Sequence, residues 1–181
     1  MSGMAEHRLA VQLARILDEV ACRGDRHFTG TSVVICRALD GLPYCAMTEG
    51  WPVSAGASLV DNLLAMAHGE SPYHDGFHLL TSNFEFLKVA CYLAPRISDE
   101  APRVSFAGRG SRFSTAYFMS LLSPAICVGI VGHRREVTVF RQGRILAGQG
   151  GPLSASTGVA PLSLSLVARS QAEPSAALRK G

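Results

Sequence analysis

The 181-residue chain lacks several features that would assign it to a common class of protein. It has no dense run of lysine and arginine, and its formal net charge is only +3, so a nucleic-acid-binding surface is not predicted. No apolar run approaches the roughly 20 residues of a membrane span, and residues 1–8 lack the apolar core of a signal peptide. The sequence therefore predicts a cytoplasmic protein that binds neither membrane nor nucleic acid.

The cysteines form no pattern that indicates a functional site. There are five, they are scattered, and no two form a Cys-x-x-Cys pair. Most lie in apolar or strand-like surroundings, so we interpret them as small buried hydrophobic residues in a reducing compartment. No Gly-x-Ser-x-Gly elbow occurs and no cysteine stands in an obviously basic loop, so a nucleophilic serine or cysteine has little support.

What the chain does have is material for a core, since 48% of its residues are hydrophobic and 17% are charged. Apolar residues at helical spacing predict three helices, and β-prone runs predict six strands among them. The predicted helices cover residues 4–22, 58–68 and 112–122, and the strands residues 31–36, 44–47, 76–80, 86–93, 125–131 and 137–140. Helices interleaved with strands predict an α/β domain with a mixed central sheet flanked by helices.

The C-terminal part of the chain has a different composition. Residues 151–181 are rich in Gly, Ser, Ala and Pro and have little periodicity, which predicts a flexible tail that folding does not require. Residues 159–167 are apolar enough to dock on the domain, which is the alternative. The folded domain is therefore expected within residues 1–150.

A short polar turn separates the second predicted helix from the strand that follows it. It reads Ser71-Pro72-Tyr73-His74-Asp75-Gly76-Phe77. Proline and glycine both break helices, so this turn should hold His74 and Asp75 at the mouth of a strand. A carboxylate there can bind a metal ion or a ribose hydroxyl, and a glycine at position 76 lets a ligand approach closely. An ordinary polar turn between two elements is the alternative.

Histidine and acidic residues crowd around this turn and raise the question of a metal site. The candidates are His68, Glu70, His74, Asp75 and His78. Their spacing matches no closed zinc signature, and His78 is expected to face the core from within a strand. A magnesium or manganese site that combines Asp75 with the phosphates of a ligand fits better, because Mg²⁺ usually binds through few carboxylates and a phosphate.

A second motif, Gly108-Arg109-Gly110-Ser111-Arg112, opens the third predicted helix. The free amides and the positive dipole end of a helix N-terminus attract anions, and Arg112, Ser111, Ser114 and Thr115 add donors. The pattern predicts a phosphate site. A plain helix cap formed by Ser111 is the alternative.

Together the two motifs resemble the diadenylate cyclase (DAC) domain family, whose members condense two ATP molecules to cyclic di-AMP. The first family motif, Ser-Pro-x-His-Asp-Gly-Ala, corresponds to residues 71–77, and a later Cys-Tyr-Leu corresponds to residues 91–93. The second, Gly-Thr-Arg-His-Arg-Ala-Ala, corresponds to residues 110–116. The resemblance extends over roughly residues 5–147 and implies a single DAC-like domain in residues 1–150.

The departures from the family pattern concern charged groups. The family's Arg-His-Arg is Arg112-Phe113-Ser114 here, and the small alanine after Asp-Gly is Phe77. An acidic residue usual after the motif's serine is Leu121, and an acidic pair implicated in family metal binding falls on residues 132–133. Asp75 is the remaining carboxylate among the metal ligands that the resemblance implies.

The resemblance implies a nucleotide site and leaves three hypotheses for its use. The first is a sensing domain that binds an adenine nucleotide or a cyclic dinucleotide through degenerate catalytic motifs. The second is a divergent diadenylate cyclase that uses Mg²⁺ or Mn²⁺, with Asp75 and Arg112 as catalytic residues. The third is a scaffold that binds only a protein. The implied nucleotide-binding residues are His74, Asp75, Gly76, Phe77, Gly110, Ser111, Arg112, Ser114 and Thr115.

Partners follow from the same hypotheses. Each family domain brings one ATP, so a cyclase requires two facing domains and hence a homo-oligomer. A sensor requires an effector protein that responds to the bound nucleotide, because this chain has no second recognisable domain.

Overall fold

The computed structural model describes residues 3–98 and 104–148 as three helices and seven strands. The helices are α1 (Gly3–Arg23), α2 (Leu59–Met66) and α3 (Ser111–Met119). The strands are β1 (Thr31–Cys36), β2 (Tyr44–Ala46), β3 (Phe77–Leu80), β4 (Phe86–Leu93), β5 (Ala125–Val131), β6 (Val137–Arg141) and β7 (Arg144–Gly148). The predicted tail lies outside the described residues, so its flexibility stays a prediction.

All seven strands form one mixed sheet in the order β2-β4-β3-β1-β5-β6-β7. Strands β1 and β3 are parallel, with Val33 beside His78, and the other neighbouring strands are antiparallel. The α/β class and the mixed sheet predicted from the sequence are thus confirmed.

The centre of the sheet is formed by its most continuously apolar segments. Every residue of β1 and β5 is buried, because helices cover both faces of these strands. Strand β7 was not predicted, because it is a short edge strand whose residues 144–148 merge into the glycine-rich sequence that follows.

Helices cover the two faces of the sheet unequally. Helices α1 and α2 pack on one face, where Leu13 and Leu17 meet alternate residues of the central strands. Gly129 in β5 permits this close approach, since a Cβ there would lie 2.4 Å from Leu17 Cδ1. Helix α3 packs on the other face, against a cluster that includes Phe140. None of the helices in the described part of the chain combines the length and apolar character needed to cross a bilayer.

The edge of the sheet at which strands β1 and β6 end is fastened by a largely buried ion network. Glu6 of α1 accepts hydrogen bonds from Arg37, just after β1, and from Arg141 at the end of β6 (2.8 Å). These two arginines hold the pKa of the Glu6 carboxyl below its usual value, although its burial acts in the opposite direction. The network ties the start of α1 to the ends of strands β1 and β6.

Candidate functional site

Both sequence motifs meet at the opposite edge of the sheet, which is formed by the ends of its central strands. The strand directions explain why. Strands β1 and β3 are parallel, so both begin at this edge. Strand β5 is antiparallel to β1 and ends there, and β6 begins there. Continuing the observed pairings by a few residues places Asp75, Gly30, Gly132 and Glu136 in a row across four neighbouring strands.

The two glycines in this row make space for two charged side chains. A Cβ on Gly30 would lie 2.5 Å from Nη1 of Arg112, and one on Gly132 would lie 2.2 Å from Oε1 of Glu136. A guanidinium therefore occupies the space above Gly30, and a carboxylate occupies the space above Gly132. The edge of the sheet carries a cation and an anion side by side, and they are not close enough to form an ion pair.

Arg112 reaches this edge from the first turn of α3. Its Nη2 lies 3.9 Å from Oδ1 of Asp75, and its Nη1 donates to the carbonyl oxygen of Thr29 (3.5 Å). The side chain of Arg112 is 26% exposed, and this burial lowers the pKa of its guanidinium while Asp75 opposes the change. The two motifs therefore meet in space, as the nucleotide site implied by the family resemblance requires.

The first motif forms a tight turn around His74 and Asp75. Nδ1 of His74 donates to the carbonyl oxygen of Ser71 (2.6 Å), which orients the ring so that Nε2 lies 3.5 Å from Oδ2 of Asp75. The Asp75 carboxylate is 73% exposed and therefore open to a ligand. His74 and Asp75 thus stand at the mouth of β3.

Two neighbouring residues have roles different from those expected. The ring of Phe77, one of the implied nucleotide-binding residues, is 5% exposed and packs in the core beneath α3. Gly76 has a φ of +91°, and a Cβ there would lie 2.8 Å from the carbonyl oxygen of Cys91. This glycine makes room for the close approach of strand β4.

His78 is a core residue, in agreement with the sequence prediction. It is 2% exposed, and its Nδ1 accepts a hydrogen bond from the N–H of Ala90 (3.3 Å), a residue with a φ of +45°. Burial, assisted by the positive charge of Arg112, lowers the pKa of His78 to about 4. The imidazole is therefore neutral and holds the backbone of β4.

We expect this buried imidazole to make the fold sensitive to acid. The unfolded chain protonates His78 near the ordinary histidine pKa of 6.5 and the folded chain only near 4, so the free energy of unfolding falls as the pH drops through this window. The full loss is on the order of 3 kcal/mol. It should be measured by urea denaturation from pH 7 to pH 4.

The variant His78→Asn serves as the control, because its amide oxygen can accept from Ala90 without titrating. Its stability should change less with pH over the same range. An identical pH slope in both proteins would contradict this assignment.

Helix α3 begins without a side-chain cap. Its N-cap is Gly110, so the alternative of a cap formed by Ser111 is wrong. A Cβ on Gly110 would meet nothing within 4 Å, so open space adjoins the helix start. The guanidinium of Arg109 stacks on the ring of Phe113 (4.8 Å) beside it. The first turn therefore presents backbone amides and two arginines to this space.

The open space is a cleft of about 750 Å³ between the start of α3 and the hairpin that joins β5 to β6. This volume lies within the range usual for small-molecule sites. Its lining is strongly basic, with Glu136 as the single carboxylate. It consists of Thr29, Gly108, Arg109, Gly110, Ser111, Arg112, Phe113, Ile130, Gly132, His133, Arg134, Glu136 and Thr138.

The cleft agrees with some of the predicted binding residues and differs on others. Gly110, Ser111 and Arg112 line it, and Asp75 adjoins it through Arg112. Ser114 and Thr115 are half-buried and do not line it, because they lie further along α3 from the helix start. Sequence reasoning missed Thr29, Thr138 and Glu136; the one available signal was an acid directly after the basic residues 133–135.

The described residues contain no group of three or more His, Cys, Asp or Glu side chains placed to hold a metal ion. His78 is turned into the core, and His68 lies against the ring of His27 (4.9 Å between centroids). Any metal bound at this edge would need ligands from the bound molecule as well.

Comparisons with known proteins agree with this architecture. The family model for DAC, DisA bacterial checkpoint controller nucleotide-binding, matches residues 20–145. A hypothetical membrane spanning protein from Bacillus cereus has a similar fold (TM-score 0.53, 21% identity), and the match covers 74% of this chain and 59% of that one. DacA from Staphylococcus aureus, solved as a double mutant, is also similar (TM-score 0.52, 21% identity, 77% and 85% coverage).

This chain thus spans about three-fifths of the Bacillus cereus chain. Among curated proteins, no sequence matches it significantly. The family match extends from the end of α1 into β7 and includes both motifs and the hairpin of the cleft. The chain belongs to the DAC domain family of DisA-type nucleotide-binding domains.

Proposed function

We propose that this domain binds an adenine nucleotide or a cyclic dinucleotide in the basic cleft and acts as a sensing domain with little or no cyclase activity. The observation that carries the proposal is the half-buried Arg112 at an uncapped helix start, next to a cleft of suitable size. Arginine forms bidentate bonds to phosphate, and the amides of the helix start favour an anion at the same place.

Stability does not explain why Arg112 is placed there. Removing part of a guanidinium from water is costly, and a single carboxylate at 3.9 Å compensates for it only weakly. Partly buried charges with altered pKa values concentrate at functional sites. A ligand phosphate would complete the set of hydrogen-bond partners that this side chain lacks among its neighbours.

The same site supports binding better than catalysis. Attack of a 3′-hydroxyl on an α-phosphate requires donors that stabilise the charge developing on the phosphoryl oxygens. Phe113 stands where the family has an imidazole, and its ring packs against that of Phe140 in the core (4.9 Å between centroids). Ser114 stands where the family has a second guanidinium and does not line the cleft. Losing one such donor typically costs on the order of 10²–10³ in rate.

A divalent cation would enter this site with the nucleotide. Asp75 presents an exposed carboxylate next to the basic cleft, and this arrangement suits Mg²⁺ or Mn²⁺ held jointly by one carboxylate and the phosphates. A cation supplied in this way would neutralise phosphate charge. Arg109, Arg112 and Arg134 would orient the phosphates around it.

The experiment that tests the proposal separates binding from turnover. The purified protein should be titrated with ATP and with cyclic di-AMP by calorimetry, then incubated at high concentration with ATP and Mn²⁺ or Mg²⁺, and the products resolved chromatographically. We expect binding without multiple turnovers of cyclic di-AMP, because the donors are missing.

Two other outcomes would change the assignment. Cyclic di-AMP formed at multiple turnovers, and lost in Asp75→Ala, would establish a divergent cyclase, for which the arginines of the β5–β6 turn supply the charge that residues 113–114 lack. Neither binding nor product would leave a scaffold that interacts only with protein. Analytical ultracentrifugation of the same sample would show whether nucleotide brings two domains together, as a cyclase requires.

A further inference from the structure

The carboxylate of Glu136 is the feature of the cleft that nucleotide binding through arginines leaves unexplained. Within the described residues, its Oε2 is buried and has no hydrogen-bond partner. It lies in a cleft lined by Arg109, Arg112 and Arg134, yet forms an ion pair with none of them. Burying an oxygen without a hydrogen-bond partner is unfavourable, so something else should compensate for it.

Its position is fixed by the β5–β6 hairpin. The pairing of Val131 with Val137 continues to Gly132 and Glu136, where the N–H of Gly132 donates to the carbonyl oxygen of Glu136 (3.0 Å). The N–H of Arg135, whose φ is +66°, then donates to the carbonyl oxygen of Gly132 (2.9 Å) and closes the turn. Glu136 therefore faces Gly132 across the hairpin, and its carboxylate covers the bare glycine.

This carboxylate lies on the other side of Arg112 from Asp75. The backbones of the two acidic residues are separated by three strand spacings, roughly 14 Å, with Gly30 and Gly132 between them. A phosphate bound to Arg112 would approach Glu136. The phosphate and the Glu136 carboxylate are both anions, so they would repel each other. The repulsion becomes an attraction if a divalent cation lies between the phosphate and the carboxylate.

We propose that Glu136 binds a divalent cation jointly with the phosphates of the nucleotide, opposite Asp75 across Arg112. Oxygen ligands suit Mg²⁺ and Mn²⁺, which are commonly held by one or two carboxylates together with phosphates. His133 lines the same end of the cleft and is a suitable nitrogen ligand for Mn²⁺. The inference rests on the proposed nucleotide binding and adds the carboxylate ligand that residues 132–133, which lack acids, do not provide.

The experiment compares the wild-type protein with Glu136→Gln. Affinity for ATP is measured by calorimetry in EDTA and in Mn²⁺, and bound Mn²⁺ is measured directly by electron paramagnetic resonance. We expect Glu136→Gln to weaken binding of Mn²⁺ and ATP together about 10-fold or more. In EDTA it should leave the affinity for ATP unchanged or raise it, because a repulsive charge has been removed.

Two further variants make the result specific. Glu85→Gln removes the same charge from an exposed residue near the opposite edge of the sheet, between β3 and β4, and should change neither affinity. Gly132→Ala keeps the carboxylate but displaces it, since a Cβ there would lie 2.2–2.7 Å from its atoms. It should weaken binding in the presence of Mn²⁺ in the same direction as Glu136→Gln.

The other outcomes would overturn the inference in distinguishable ways. Equal weakening in EDTA and in Mn²⁺ would mean that Glu136 accepts hydrogen bonds from the nucleotide itself. No change in either condition would give the residue a purely structural role. Failure of the wild-type protein to bind ATP at all would overturn the proposed function, and the cation site with it.

Discussion

Replacing Gly30 with alanine should lower the melting temperature by roughly 4–16 °C. The φ of Gly30 is +102°, and an added Cβ would lie 2.5 Å from both the carbonyl oxygen of Val131 and Nη1 of Arg112. The carbonyl belongs to a central strand and cannot move without disturbing the sheet. Backbone strain and overpacking together should lower the free energy of unfolding by roughly 2–4 kcal/mol. Each kcal/mol shifts the melting temperature of a chain of this size by about 2–4 °C.

The matched control is Gly108→Ala, measured by circular dichroism on heating. Gly108 also has a positive φ, +73°, but its Cβ would meet nothing within 4 Å. The Gly108→Ala variant therefore has the backbone strain without the collision, and its free energy of unfolding should fall by only about 1 kcal/mol. Equal losses in the two variants would show that the space above Gly30 is not filled as described.

Replacing Arg112 with alanine should weaken nucleotide binding about 10-fold or more while changing the melting temperature little. A charge-assisted bond to phosphate contributes about 1.5–3 kcal/mol to binding, so its loss should raise the dissociation constant about 10-fold or more. Stability should be nearly unaffected, because the partial burial of this cation already opposes folding. Calorimetry with ATP gives the first quantity and thermal denaturation the second.

Two companion variants sharpen this experiment. Arg112→Lys keeps the charge but loses the planar pair of donors, so it should retain part of the affinity. Arg144→Ala removes a cation at the start of β7, beyond the cleft, and should leave binding unchanged. A loss in Arg144→Ala as large as that in Arg112→Ala would mean that only the net charge of the domain matters.

The sequence predicted the elements better than their contacts. Continuous β-prone runs predicted β1 and β5 as strands, and every residue of both is buried, as in strands that are covered on both faces. The family resemblance implied one nucleotide site built from both motifs, and Asp75 and Arg112 do lie close together. The short edge strand β7 left no comparable pattern.

The details of the site depended on register, which the sequence does not reveal. Glu136 was missed because its importance comes from standing opposite Gly132 across a hairpin. Phe77 was expected at the ligand on the basis of its neighbours in sequence, whereas strand alternation turns its ring into the core. Ser114 and Thr115 were expected at the cleft, but α3 presents only its start to it.

The hairpin pair formed by Gly132 and Glu136 also constrains how this domain can diverge. The space above the hairpin holds a single side chain, and either strand can supply it. Relatives should therefore show opposite volumes at these two positions, with a large residue at one whenever the other is small. A chain can then move a carboxylate from one strand to the other by paired substitutions without altering its backbone, and aligned sequences would record this as covariation between the two positions.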